Sequence, residues 1–433
     1  MFFETWRDRY GWVIGALILM AALAVMAAQY FSARPPRILH LAGLAFGLAI
    51  GGLFFVPAVP RLVTALQQLF IARAPMDTSG PFPVATADIA LPTAAAGDPT
   101  ILVQIWYPTA GSPSAASKPP ESTVPPLCSK VLDQSRLAGA EQKFSLLLYA
   151  PGSGGEKDDN ASTAAELASN GYIIMAIEDI DRDPGPPVTA EEIPRPLTFD
   201  FSSAGAFITT LRTGDRKVRR QAERALAALD RLTACANADW RARVHFDRVG
   251  FFGFSLGGST AAEAGTFDPR VVAVANLDGW LFGRAAFGAL EKPYMVILIG
   301  DAIFPGPREL QSSDPDKRYS ATLTDRDLRE EVRLANRPQG FGFRIHNTYH
   351  ENLSDQIFSR RFFKTWLVVN PYRVKSIRDA YLLAFFDTYL RGMSPTLLTQ
   401  SPSSFHEVEI LKGNKYWLDE AAKRTPEAGS SPN

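Results

Sequence analysis

Two long apolar stretches open the chain, Trp12 to Phe31 and Ile38 to Val59, joined by the short basic connection Ser32-Ala33-Arg34-Pro35-Pro36-Arg37. Each is long enough to cross a hydrocarbon core as a helix, so the pair predicts a transmembrane hairpin over about 12–31 and 38–59. A cleaved signal peptide is the rival reading, because Arg7 and Arg9 precede the first stretch. Removing that stretch would still leave a second membrane segment. Arg7, Arg9, Arg61 and Arg73 outnumber Arg34 and Arg37 in the connection. The positive-inside rule then tilts both termini, and the domain that follows, toward the cytoplasm. Leu62 to Ile71 carries apolar residues at helical spacing and predicts an interfacial helix. Residues 1–74 read as a membrane anchor, and the membrane as a bacterial inner membrane.

Beyond the linker at Pro75 to Pro83 the pattern changes. Val84 to Leu91 and Thr100 to Tyr107 predict an antiparallel pair of strands at a sheet edge, and the Ser-, Pro- and Ala-rich run Thr109 to Pro126 an exposed loop. Short apolar runs then alternate with amphipathic ones. Strands are predicted at Ser145 to Ala150, Tyr172 to Glu178, Arg248 to Gly253, Val271 to Asn276, Tyr294 to Ile299 and Gly342 to His346. Helices are predicted near Asn160 to Ser169, Arg216 to Ala234, Leu256 to Gly265, Asp325 to Asn336, Ile357 to Val368 and Tyr372 to Leu390. Such alternation predicts an α/β domain over 75–424, a mainly parallel sheet covered by helices. The tail 425–433 reads as disordered. The Pro- and Gly-dense stretch from Asp183 to Asp215 interrupts the pattern and is expected to form a lid or pocket wall.

Composition narrows the function classes. Across 433 residues, 45 basic and 45 acidic side chains cancel, so no global field favours nucleic acid. Cys128 and Cys235 are the two cysteines, too few for a disulfide framework or a four-cysteine zinc site, and read as structural thiols. Arg216, Lys217, Arg219, Arg220, Arg224 and Arg231 crowd one predicted helix. They read as a solvated face, with contact to anionic lipid the alternative.

The chemistry centres on Gly253-Phe254-Ser255-Leu256-Gly257-Gly258, where an apolar strand turns at a serine into a helix of small residues. A serine between glycines at such a junction is how an α/β-hydrolase exposes a nucleophile. The serine hydroxyl needs a neighbouring base, for which histidine has a suitable pKa. In this fold the base follows the nucleophile in the chain, leaving His346, His350 and His406. His350 lies in a loop after the last predicted strand and is the best placed. His346 falls within the strand, where a packed histidine is expected, and His406 lies beyond the final helix. For the orienting carboxylate, Asp278 and Asp301 each follow a strand, and residue chemistry leaves both open. An oxyanion hole needs two backbone donors. Leu256 N–H supplies one, and Ser153 N–H is the candidate for the other, in Pro151-Gly152-Ser153-Gly154-Gly155. A phosphate cradle is the rival for that loop, but the Lys-Ser/Thr ending of a P-loop is absent. Neither metal nor organic cofactor is required by this chemistry.

These segments resemble the plasma-type (isoform II) platelet-activating factor acetylhydrolases, α/β-hydrolase phospholipases with many bacterial relatives. The likeness runs from about Ile101 to Asp355 and includes Ile105-Trp106-Tyr107-Pro108, the loop at Pro151 to Gly155, Val218 to Leu232 and Gly253 to Gly258. Its most specific parts are Leu277-Asp278-Gly279-Trp280 and His350-Glu351-Asn352-Leu353-Ser354-Asp355. The resemblance implies a triad of Ser255, Asp278 and His350, favours Asp278 over Asp301, and supports Ser153 and Leu256 as oxyanion donors. It implies a serine ester hydrolase acting on short or oxidised acyl esters, with an ester or phospholipid substrate. Phe254 stands where that family usually has a histidine, and Pro151 replaces another, which bears on the substrate. An acyltransferase using the same triad and a non-catalytic binding protein on a hydrolase fold are the alternatives.

Overall fold

The computed structural model describes residues 77–91, 101–110, 137–139, 141–179, 197–358 and 370–423. The two expected membrane spans, the interfacial helix at 62–71, most of the helix expected at 357–368 and the tail 425–433 lie outside the described residues. Among the described residues, no helix is long and apolar enough to cross a membrane.

Among the described residues, nine strands form one sheet: β1 (Val84–Leu91), β2 (Ile101–Pro108), β3 (Phe144–Ala150), β4 (Tyr172–Ile177), β5 (Val244–Phe254), β6 (Val271–Leu277), β7 (Tyr294–Leu298), β8 (Gly340–Ile345) and β9 (Val408–Ile410). Their spatial order is β1-β2-β4-β3-β5-β6-β7-β8-β9. β1 and β2 pair antiparallel, as expected, and β2 meets β4 antiparallel. From β4 through β8 every pairing is parallel, and β9 closes the far edge antiparallel to β8. The central strands are buried on both faces, which is why they read as unbroken apolar runs rather than alternating ones.

The two-residue period of a strand sends neighbouring side chains to opposite cores. Leu146, Leu148 and Ala150 of β3 join a core with the helices α2 (Ala204–Cys235), α3 (Leu256–Gly265), α4 (Pro315–Ala335) and α6 (Lys415–Ala422). Leu147 and Tyr149 join a second core with α1 (Ala161–Ser169) and α5 (Pro371–Arg391). Helices therefore cover both faces of a mixed sheet, an arrangement that resembles a hydrolase fold.

Two elements depart from expectation. α2 begins at Ala204, well inside the stretch read as a lid, because the Ser203 hydroxyl accepts from the Ala206 N–H at 3.1 Å and starts the helix there. β8 stops at Ile345, so His346 lies outside the strand with its side chain 43% exposed rather than packed in a core.

Candidate active site

Ser255 joins β5 to α3 with φ 54° and ψ −126°, a left-handed backbone that a residue with a side chain rarely adopts. The turn is tight enough to exclude Cβ atoms from its flanks. A Cβ on Gly253 would overlap the Gly257 backbone, and one on Gly257 would overlap the carbonyl oxygens of Ala150 and Pro151. The ladder continues into the turn, with Ser255 N–H donating to Leu277 O at 2.9 Å. As the first residue of α3, Leu256 has an N–H without an intrahelical acceptor.

Phe254 pairs with Leu277 in the β5–β6 register, so the residues just past the two strand ends, Ser255 and Asp278, emerge side by side. Asp278 is also left-handed, with φ 56°. Asn276 holds its turn: the Gly279 N–H donates to Asn276 Oδ1 at 2.9 Å, and Asn276 Nδ2 donates to Gly279 O at 2.8 Å. One Asp278 oxygen accepts from the Ile299 N–H at 3.2 Å, and the other lies 2.6 Å from His350 Nδ1. Burial pulls the His350 pKa down, but the Asp278 hydrogen bond and charge, with Glu351 adding to them, outweigh it and leave the imidazole above its ordinary value.

The His350 loop is tied down by the polar residues that follow it. Tyr349 N–H donates to Asn352 Oδ1 at 2.7 Å. Asp355 accepts from the Ser162 N–H at 2.7 Å and the Ser162 hydroxyl at 2.6 Å, at the start of α1. Arg378 of α5, itself buried, reaches the same carboxylate at 3.5 Å. The spacing of histidine, asparagine and aspartate thus has a mechanical meaning: Asn352 shapes the loop and Asp355 fastens it to two helices.

Opposite, the loop after β3 carries Ser153. Gly154 N–H donates to Asp179 Oδ2 at 3.1 Å and Gly155 N–H to Gly152 O at 2.9 Å. The Ser153 hydroxyl accepts from Lys217 Nζ at 3.0 Å, and that ammonium also pairs with Asp179 Oδ1 at 3.3 Å. Lys217 and Asp179 are almost wholly buried, with side chains 0% and 2% exposed. For Lys217 this corrects the reading of the basic helix as a solvated face, whereas Arg216 is exposed as expected. Lys217 falls in helical step with Gly214, Val218, Gln221 and Ala225, all buried, so its position in that stripe was the available signal. Arg219 does sit at the surface, bonded to Glu223 at 2.7 Å.

Ser153, Ser255, Leu256, Asp278 and His350 line one cavity of about 420 Å³. Its walls are mostly apolar, with Phe199, Trp280, Phe282, Leu298, Ile299 and Leu328. Phe199 belongs to the described part of the stretch expected to wall a pocket. Asp301 lines the same cavity but is exposed, while the histidine contact goes to Asp278. His406 is 88% exposed and lies against Glu407 at 3.4 Å.

No family model matches the chain, and no curated protein matches it. Among solved structures, it is similar to a ferulic acid esterase from Streptomyces cinnamoneus at 22% sequence identity, over 78% of this chain and 98% of that one, with a TM-score of 0.49.

Proposed function

We propose that the protein is a serine ester hydrolase. The observation that carries this reading is Ser255, held in a left-handed turn on the same cavity as a His350–Asp278 pair 2.6 Å apart. In the proposed reaction Ser255 Oγ attacks the ester carbonyl while His350 Nε2 takes its proton. Asp278 accepts the Nδ1–H bond, which keeps Nε2 free as the base and stabilises the imidazolium that forms. The Leu256 and Ser153 N–H groups donate to the tetrahedral oxyanion. Collapse of that intermediate breaks the bond to the alkoxide oxygen, which leaves with the proton from His350. Water, deprotonated by the same histidine, then attacks the acyl-enzyme and releases the acid.

The narrower reading follows the resemblance: a membrane-tethered phospholipase of platelet-activating factor acetylhydrolase type, acting on short or oxidised acyl chains. The apolar walls of the cavity and the two apolar spans near the N-terminus support a lipid ester. Comparing wild type with Ser255→Ala on esters of graded acyl length, including a short sn-2 phospholipid, tests both levels. Equal rates for the two proteins sink the mechanism. A wild type active on simple esters but inert on the phospholipid sinks the narrower substrate alone.

A further inference from the structure

Asp327 of α4 is a buried acidic residue on the cavity wall, one helical step from Thr324, which lines the cavity too. It is 4% exposed, lines the cavity, and accepts from the Leu281 N–H through Oδ1 at 2.6 Å. Among the described residues no donor reaches its Oδ2. Around it stand Phe282 and Leu328, and Phe199 packs edge-on to Trp280 with ring centroids 5.4 Å apart. The space is large for a two-carbon acyl group. Its volume falls in the range of sites that enclose a compact organic ligand.

A plain hydrocarbon filling this space would strip water from the free carboxyl oxygen and offer nothing in return. A cation is a poor fit, because the Arg326 guanidinium already lies beside this group, donating to Leu281 O and placed over the Phe282 ring. A hydroxyl suits the site in either protonation state, donating to the carboxylate or accepting from the acid. That versatility matters here. Burial, against the pull of the Leu281 N–H and of Arg326, raises the Asp327 pKa to about 7, with Asp278 and Glu330 adding to the rise.

We infer that Asp327 determines specificity, and that the favoured substrate is an ester bearing a hydroxyl on an apolar, ring-sized body that reaches its carboxyl. The inference rests on the hydrolase reading of Ser255 alone, and it sets a ring-sized hydroxylated ester against the short-acyl phospholipid as the favoured substrate of that site. Asp327 takes no part in the proposed acyl transfer; it meets the bound group from the cavity wall.

The test uses two matched pairs of esters. Methyl para-hydroxyphenylpropanoate against methyl phenylpropanoate probes the acid side, and para-hydroxyphenylpropyl acetate against phenylpropyl acetate the alcohol side. Wild type is expected to favour the hydroxylated member of one pair by about 10- to 100-fold in kcat/KM. Asp327→Leu is expected to bring that ratio to about one or below. Asp327→Asn, which keeps an acceptor for the Leu281 N–H, is expected to retain part of it. A purely structural role would lower both members of a pair together and leave the ratio unchanged. Wild-type ratios near one in both pairs, or hydrolysis of none of the four esters by protein that a fluorophosphonate labels at Ser255, overturn the inference and spare the hydrolase reading. A ratio unmoved in folded Asp327→Leu does the same. If that variant does not fold, the wild-type ratios decide. Failure of Ser255 to label overturns the hydrolase reading itself.

Discussion

The Phe254 ring lies against the His350 imidazole, with centroids 4.6 Å apart and planes inclined by 34°. The residue before the serine therefore forms the bed on which the proposed base rests, and its aromatic plane fixes the tilt of the imidazole. Phe254→Ala removes that bed and leaves a cavity in a site where Phe254 is 3% exposed. We expect kcat to fall by about 100-fold through loss of alignment, with about 3–5 kcal/mol of stability lost in urea. Phe254→His, a planar ring of smaller size, should stay within about tenfold of wild type, since a displaced but still stacked base loses less than an unsupported one. Steady-state kinetics beside denaturation curves separate the two effects.

The raised His350 pKa predicts the pH dependence. A general base works only when neutral, so activity switches on as pH climbs through its pKa. With Asp278 and Glu351 outweighing burial, the rising limb of kcat/KM should lie above the ordinary imidazole range. Asp278→Asn removes the largest raising contribution, so the limb should move to lower pH while kcat falls by roughly ten-thousandfold. A limb that stays in place in Asp278→Asn would assign the titration to another group.

Lys217→Met leaves the Asp179 carboxylate buried without its ammonium. Breaking a buried pair in this one-sided way costs about 3–5 kcal/mol, measurable as a lower urea midpoint. The same substitution frees the Ser153 hydroxyl, so kcat should fall more than KM rises. Lys217→Arg, which retains the charge, should recover part of the stability.

Gly257→Ala adds a methyl group where the Ala150 and Pro151 carbonyls already lie. Overpacking of this kind costs about 1–3 kcal/mol. Because those carbonyls begin the Ser153 loop, the strain falls on the spacing between the two proposed oxyanion donors. Titration with a fluorophosphonate should find the serine slower to label even in folded protein.

Much of this architecture is legible in the residue pattern. β1 and α3 fall on the expected residues, because the edge strand β1 is set off by Pro83 and Pro92 and α3 is a run of small residues that starts at the glycine-flanked serine. β9 has no such signature: three residues, Val408 to Ile410, are a strand only because β8 offers an edge to pair with. Residue chemistry alone leaves Asp278 and Asp301 level, since both follow a strand, and only the resemblance at Leu277 to Trp280 favours Asp278. The distinction arises from strand register and from the loop that brings His350 across. Lys217 and Asp327 are hidden for another reason. Each sits on a helix rich in charged residues, Asp327 among Asp325, Glu330 and Glu331, and a helix pattern alone does not say which charges turn inward.

The β5–β6 register has a consequence for the time course of folding. Ser255 and Asp278 become neighbours only after two parallel strands align, and His350 joins them only after β7, β8 and the clamp at Asp355 are in place. Parallel pairings between distant segments are slow steps, because chain closure must precede the contacts that reward it. A refolding chain should therefore regain helical signal well before it regains turnover. Turnover is the later clock, and it marks completion of the sheet from β5 to β8.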